Sequence, residues 1–412
     1  MQKGREDVVS AILDYNAGRD PERLALKFVA LRRDAHSFLR GTCHRYTACL
    51  PEHPLLRGEA NEAPLAWNSG DMHLENFGSY IGDNGLAYFD INDFDEAALA
   101  PVVHDPLRLL TNLLVLTEAL SLSLADAQDM ARFFIDTYAD TLASGKARWV
   151  ERDTAQGLVR DLLDSLRTRT AASMLASRTT LKAGRRRIRL DGIKALPASK
   201  EQRYAVAALL EKFATDQAQP AFYKPLDIAR RISGNGSLGL ERYMILVHGT
   251  GAPDGNVLLD LKLVTPSVLA ATVTNRQPAW KSEAARVVTL QARMQAMPVA
   301  FLHALHAGSK RTDPSFVLRA LQPGQDRVEL DRCRDKPKRL ARLLETMAHT
   351  LAWAQLRSSG QQGAAHTDEL IAFAQQKQWR NQLLSLARQC SAQVETDWEN
   401  YAKAFDEGSI ST

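Results

Sequence analysis

Much that would assign this chain to a familiar class is missing from it. Its 412 residues hold four cysteines, Cys43, Cys49, Cys333 and Cys390, and no two of them stand in a CxxC pair. That spacing reads as reduced thiols in a cytoplasmic protein rather than as a disulfide framework or a cysteine-built zinc site. Neither sign of charge dominates: 52 Lys and Arg face 48 Asp and Glu, and a net +4 on this length does not argue for nucleic-acid binding. Long apolar runs are absent as well. The most apolar stretch, LRLLTNLLVLTEALSLSLA over 107–125, is interrupted by Arg108, Asn112 and Glu118, and is expected as a buried helix rather than a membrane span. The opening residues, MQKGREDVVSAILDYNAG, carry charge where a secretion signal needs an apolar core.

What is present is an ordinary folding composition, 45% hydrophobic and 24% charged, on a length that exceeds a single core. Residues 1–50 read as helical, with LALKFVALRRDAHSFLR near helical spacing, followed by a Pro/Gly-bearing loop over 51–64. Short aromatic and β-branched runs then flank GDNG, a turn between two strands. Helices are expected over 105–145, closed by Gly145. Residues 146–215 read as helical and basic; the run GRRRIRLDGIK is taken as a solvated face or linker, with binding of an acidic substrate as the rival reading. A strand-rich block with one helix occupies about 222–322, and the chain is helical from about 335 onward. The expected class is α+β, in three segments: 1–215, 216–325 and 326–412.

Two clusters carry chemistry. In GDMHLEN, Asp71 and Asn76 stand five apart with His73 between them, and the hairpin that follows carries Asp90, Asn92, Asp93 and Asp95. A carboxylate at a strand end, an amide five residues on and a second carboxylate after a hairpin suit phosphoryl transfer. One Asp orients or deprotonates an acceptor hydroxyl, and the Asn and later Asp hold Mg²⁺ (or Mn²⁺) against a triphosphate. Acidic hairpin residues are often mere turn residues, and His73, His104 and Asp105 could instead be ligands of a metal-dependent phosphohydrolase. The second cluster is GNGSLG over 234–239. Its flanks read as strands, so Gly234, Gly236, Ser237 and Gly239 are expected in a glycine turn over phosphates rather than at the start of a dinucleotide-binding helix. Lys262, in LDLKLV, is then a phosphate clamp, with Glu283 as its expected acidic partner and Gln291 as the weaker choice. The bland reading of Lys262 is a surface lysine on an edge strand. Asp260, spaced like a ribose-binding acid, is taken as a decoy.

The first cluster resembles the catalytic loop of aminoglycoside and choline phosphotransferases, GDxHxxN followed by IDF[DE]xA, with Asn92 in place of the apolar residue before Asp93. By hairpin length Asp90 fits the metal position; by local motif Asp93 does, and Asp93 is preferred. Asp105, in HDP, falls where those enzymes carry an Asp that braces the catalytic loop. The whole order, FLRG, GDMHLENFG, NDFDEA, HDPLRLL, GNGSLG and LDLK, resembles the bacterial family called domain of unknown function 2252 over about 34–360. The resemblances imply a two-lobe, protein-kinase-like fold whose order is circularly permuted, since Asp71 precedes the glycine turn, with the C-terminal helices returning to the first segment. They imply an enzyme that uses ATP and Mg²⁺ to phosphorylate a small molecule or protein. Nucleotidyl transfer on the same fold, and nucleotide binding without catalysis, stay open. Arg40 is expected either to brace the loop at Asp71 or to bind a substrate phosphate. On this reading Lys262 and Asp93, 169 positions apart, should lie within about 10 Å of each other, the space a phosphate and a metal occupy.

Overall fold

The strand Arg242–Val247, RYMILV, is buried at every position, which requires cover on both faces and partners on both edges. It has both. In the computed structural model, which describes residues 7–57, 62–323 and 326–410, it lies inside a six-stranded antiparallel sheet. The order is His303–His306, Ser315–Ala320, Val257–Val264, Arg242–Val247, Pro225–Arg231 and Ala195–Pro197. Strand alternation sorts the side chains of Val257–Val264. Leu259 and Leu261 join Ile245, Val247 and Leu318 in a core closed by Val206 and Leu210 of helix Lys200–Ala214. Asp260 and Lys262 occupy the opposite face, paired in register with Met244 and Arg242 on one side and with Arg319 and Val317 on the other.

That opposite face turns toward a larger, mainly helical core, which Val264 and Val317 enter together with Ala284, Val287, Leu290 and Met294 of helix Glu283–Met294. The same core unites both ends of the chain. Helix Gln378–Asp406 packs on His104–Val115 and on the helices Pro21–Arg33 and Ala35–Gly41. A buried ion pair joins Arg45 to Asp397, and the Tyr401 hydroxyl donates to the Phe28 carbonyl. The expected long helix over 24–40 is divided at Asp34, whose carboxylate caps the second piece through Ser37 N–H at 2.6 Å. The class is α+β, and no helix among the described residues is long and apolar enough to cross a membrane.

The hairpin Phe77–Ile81 with Ala87–Ile91 forms around the GDNG turn, and Gly145 follows its helix at φ +63°. One stretch departs from expectation. Residues 179–188 form a β-hairpin, Thr179–Lys182 with Arg185–Ile188, where helix was read. Ala183 and Gly184 both take positive φ, the two-residue turn whose twist suits paired strands. Ala195–Pro197 and Lys200–Ala214, placed by sequence with the 1–215 segment, pack on the six-stranded sheet. Of the loop over 51–64, residues 54–57 form a short helix and 58–61 lie outside the described residues, as do 1–6, 324–325 and 411–412.

Candidate functional site

The loop carrying Asp71 is held from beneath by helix His104–Val115. Asp105 sits in the first turn of that helix, and its carboxylate accepts the backbone N–H groups of Ser69 at 2.6 Å and Gly70 at 2.9 Å. Two turns on, the Asn112 side-chain oxygen accepts Leu74 N–H. Gly70 is required here: its φ is +89°, and a Cβ would stand 2.1 Å from the Glu96 carbonyl oxygen. Burial raises the Asp105 carboxyl to about 6 against the pull of its two N–H donors.

Above this brace, Asp71 accepts from Arg108 through Nη2 at 2.6 Å and Nε at 3.1 Å. Burial lifts the Asp71 pKa and Arg108 opposes it. Asn76 donates its amide N–H to the Asp71 carbonyl at 2.5 Å, which leaves its side-chain oxygen for another partner. His73 accepts Glu75 N–H at Nδ1, and burial, then the cations Arg40 and Arg108, hold its pKa well below the usual value. The ring is therefore neutral, with any proton on Nε2. Arg40 pairs with Glu75, which also meets His36 at 3.2 Å, so Arg40 braces the loop through Glu75 rather than through Asp71.

Lys262 reaches this loop from the sheet. Its strand is central rather than an edge, and the lysine is 5% exposed. Nζ contacts Asp95 and lies 3.8 Å from Asp93, inside the expected separation. Burial would raise the Asp93 carboxyl, but Lys262, Arg319, Arg327 and Arg242 outweigh it and bring the pKa to about 2, so the group is ionised at neutral pH. The glycine run joins the antiparallel strands Pro225–Arg231 and Arg242–Val247 as a turn, and no helix starts at Gly239. Gly234, Gly236 and Ser237 line one cleft with Asp71, His73, Asn76, Asp93, Asp95, Lys262 and Arg40. Gly239 lies outside that lining, and a Cβ there would press on Arg19.

Two further site residues read from the sequence are elsewhere. Asp90 is absent from the cleft: its carboxylate accepts Ala296 N–H at 2.8 Å and faces Arg357 at 3.2 Å, tying the hairpin to the segment after Glu283–Met294 and to the end of helix Pro337–Arg357. Glu283 pairs with Arg286 one turn along its own helix, and Gln291 bonds Gln295, so the acids at Lys262 are Asp95 and Asp93. The phosphohydrolase ligands do not converge either. Asp105 is engaged with Ser69 and Gly70, His104 faces the Leu56 carbonyl, and the described residues contain no His, Cys, Asp or Glu group of three arranged for a metal. Asp260 is enclosed by Arg231, Arg242 and Arg319, a buried ion cluster within the sheet.

The structure adds residues that motif reading missed. Lys27 is fully buried, and its ammonium donates to the Gly236 carbonyl at 2.9 Å, which also accepts from Arg19 at 3.0 Å. Its signal was a lysine on the apolar face shared with Leu24, Phe28 and Leu31. Glu96 lines the cleft too; burial, aided by Asp71 and Asp95, raises it to about 7 although it accepts Val268 N–H at 2.6 Å. Asn76, Asp93 and Asp95 offer hard oxygen donors, a set that suits Mg²⁺ or Mn²⁺ more than a soft metal.

The site thus belongs to an α+β protein in which a loop braced by a helix and a lysine from a central strand meet under a glycine turn. The chain belongs to the bacterial family of domain of unknown function 2252, described as an uncharacterized protein conserved in bacteria, whose profile matches residues 19–404. No curated protein and no solved structure matches it.

Proposed function

We propose that this protein is an ATP- and Mg²⁺-dependent phosphotransferase with a protein-kinase-like fold in circularly permuted order. The observation that carries the reading is the meeting of Lys262 with Asp93 and Asp95, in one cleft with Asp71, Asn76 and the glycine turn. The fold reading draws support from the glycine turn between antiparallel strands, the lysine on the next strand and the following helix Glu283–Met294 beside the sheet. Helix Pro337–Arg357 supports the permutation: Gln355 near its end donates to Val102 and Asn68, beside the strand that leads into the Asp71 loop.

Asn76 Oδ1 and Asp93 would hold the metal, which neutralises charge on the triphosphate. Lys262, now shared between Asp95 and Asp93, would turn to the phosphates, and the backbone of the glycine turn would cover them. Asp71, kept in place by Arg108 and by the braced backbone, orients the acceptor hydroxyl and takes its proton. The acceptor oxygen bonds to the γ-phosphorus as the bond to the β–γ bridging oxygen breaks, and ADP leaves. His73, neutral and engaged through Nδ1, positions the loop. Mass spectrometry of products from candidate small-molecule and protein acceptors tests the reaction class: a gain of one phosphate agrees, and a gain of a nucleotide overturns phosphoryl transfer. Mg²⁺-dependent ATP binding without turnover on any acceptor would leave a binding protein.

A further inference from the structure

A second cavity, of about 200 Å³, adjoins the cleft and shares Arg40, Gly234, Asn235 and Arg327 with it. Among the described residues, five cationic side chains line this cavity, Arg40, Arg178, Lys194, Arg231 and Arg327, and no Asp or Glu does. They come from separate segments: helix Ala35–Gly41, the end of helix Ala171–Arg178, the residue before strand Ala195–Pro197, the end of strand Pro225–Arg231 and the stretch after 326. A charge run on one solvated face would not converge in this way. Arg40 is matched by Glu75, Arg231 by Asp260, and Arg327 feels the charge of Asp93, but Arg178 and Lys194 have no side-chain partner among the described residues. Burial pulls Arg327 down to about 10, so this cation is retained at a cost to the fold. Ile232, Met244 and Leu321 give one apolar wall that suits a flat ring. A neutral ring alone would leave Arg178 and Lys194 unmatched.

We propose that this cavity is an anion subsite that takes a phosphate or pyrophosphate group of the ligand bound in the cleft. The proposal deepens the phosphotransferase reading and rests on it for the identity of the ligand. Two sources share this chemistry: the phosphates of the nucleotide itself, and an anionic group on the acceptor.

The test is calorimetric titration of the full chain with inorganic pyrophosphate at low salt, and of the double variant Arg178→Ala/Lys194→Ala. Arg178 and Lys194 make no ion pair among the described residues, so their loss should leave folding intact, which circular dichroism checks. The wild type should bind pyrophosphate, and the double variant at least about tenfold more weakly, given what one charge-assisted contact contributes. Absence of pyrophosphate binding by the wild type at millimolar concentration overturns the proposal, and so does equal binding by the two proteins. Titration with Mg²⁺-ATP then separates the sources. A parallel loss of ATP affinity in the double variant assigns the subsite to the nucleotide, whereas unchanged ATP affinity with simultaneous pyrophosphate binding assigns it to the acceptor. Pyrophosphate binding that depends on Arg178 and Lys194, in a chain that ignores Mg²⁺-ATP, would keep the subsite and discard the phosphotransferase reading.

Discussion

Replacing Asp105 with Asn tests whether one side chain holds the Asp71 loop in place. The two residues have the same shape, so packing is preserved, and the change acts on hydrogen bonding alone. Asp105 is 1% exposed and receives two backbone N–H groups, from Ser69 at 2.6 Å and Gly70 at 2.9 Å. An Asn offers one acceptor and turns an NH₂ toward the other N–H, so one contact is lost and a buried donor is orphaned. A lost bond to a charged acceptor costs roughly 1.5–3 kcal/mol and an orphaned buried donor about 1–3 kcal/mol, partly the same energy, so a destabilisation of about 3 kcal/mol is expected. For cooperative unfolding of 412 residues, at about 2.1 cal/mol/K per residue, this lowers Tm by roughly 3–4 °C. Differential scanning calorimetry measures it, with Asp331→Asn, at a carboxylate 94% exposed, as the control expected to stay near wild type. If Asp105→Asn melted with the wild type, the loop would be held by something other than Asp105, and the brace would be refuted.

Asp93→Asn should weaken Mg²⁺-dependent ATP binding in calorimetry, whereas Asp90→Asn should lower thermal stability and leave binding intact, because Asp90 faces Ala296 and Arg357; the opposite assignment would move the metal to Asp90. Lys27→Met removes a buried ammonium that donates to the Gly236 carbonyl. Stability should hold or rise, while amide exchange over 234–239 quickens; unchanged exchange would mean that Lys27 does not anchor the turn. Glu96, raised by burial to about 7, contributes stability that is full below the ordinary Glu value and is lost as pH rises through 7. Tm of the wild type should therefore fall relative to Glu96→Gln between pH 5 and 8, and parallel curves would place the Glu96 pKa outside that range.

The parts of the site legible from sequence were those set by local spacing. GDMHLEN and NDFDEA each lie within a few residues of a strand end, so the approach of Asn76 to Asp71 and the exposure of Asp93 to the cleft follow from short-range geometry. Asp90 was harder because side-chain parity decides it: it lies within the strand Ala87–Ile91, and its carboxylate is spent on Ala296 and Arg357, partners more than 200 residues away. Glu283 failed for a related reason. Helical spacing puts Arg286 one turn away, and that local pair competes with any cross-element partner. In the basic stretch 179–188 composition hid a hairpin, since arginines suit either a solvated helix or an exposed strand and the Ala183-Gly184 turn was the decisive signal. The second cavity could not be read at all, because its cations converge from segments that only the fold brings together.

The central claim is that Lys262 and the Asp71–Asn76–Asp93 group serve one triphosphate. A crystal structure of the full chain with Mn²⁺ and a non-hydrolysable ATP analogue tests it, because the anomalous signal of manganese locates the metal independently of the ligand. The account predicts an anomalous peak bound by Asn76 Oδ1 and Asp93, with phosphates between it and Lys262 and beneath residues 234–237. A metal peak away from these residues, or a nucleotide bound with Lys262 still paired to Asp95 and Asp93 and touching no phosphate, would contradict it.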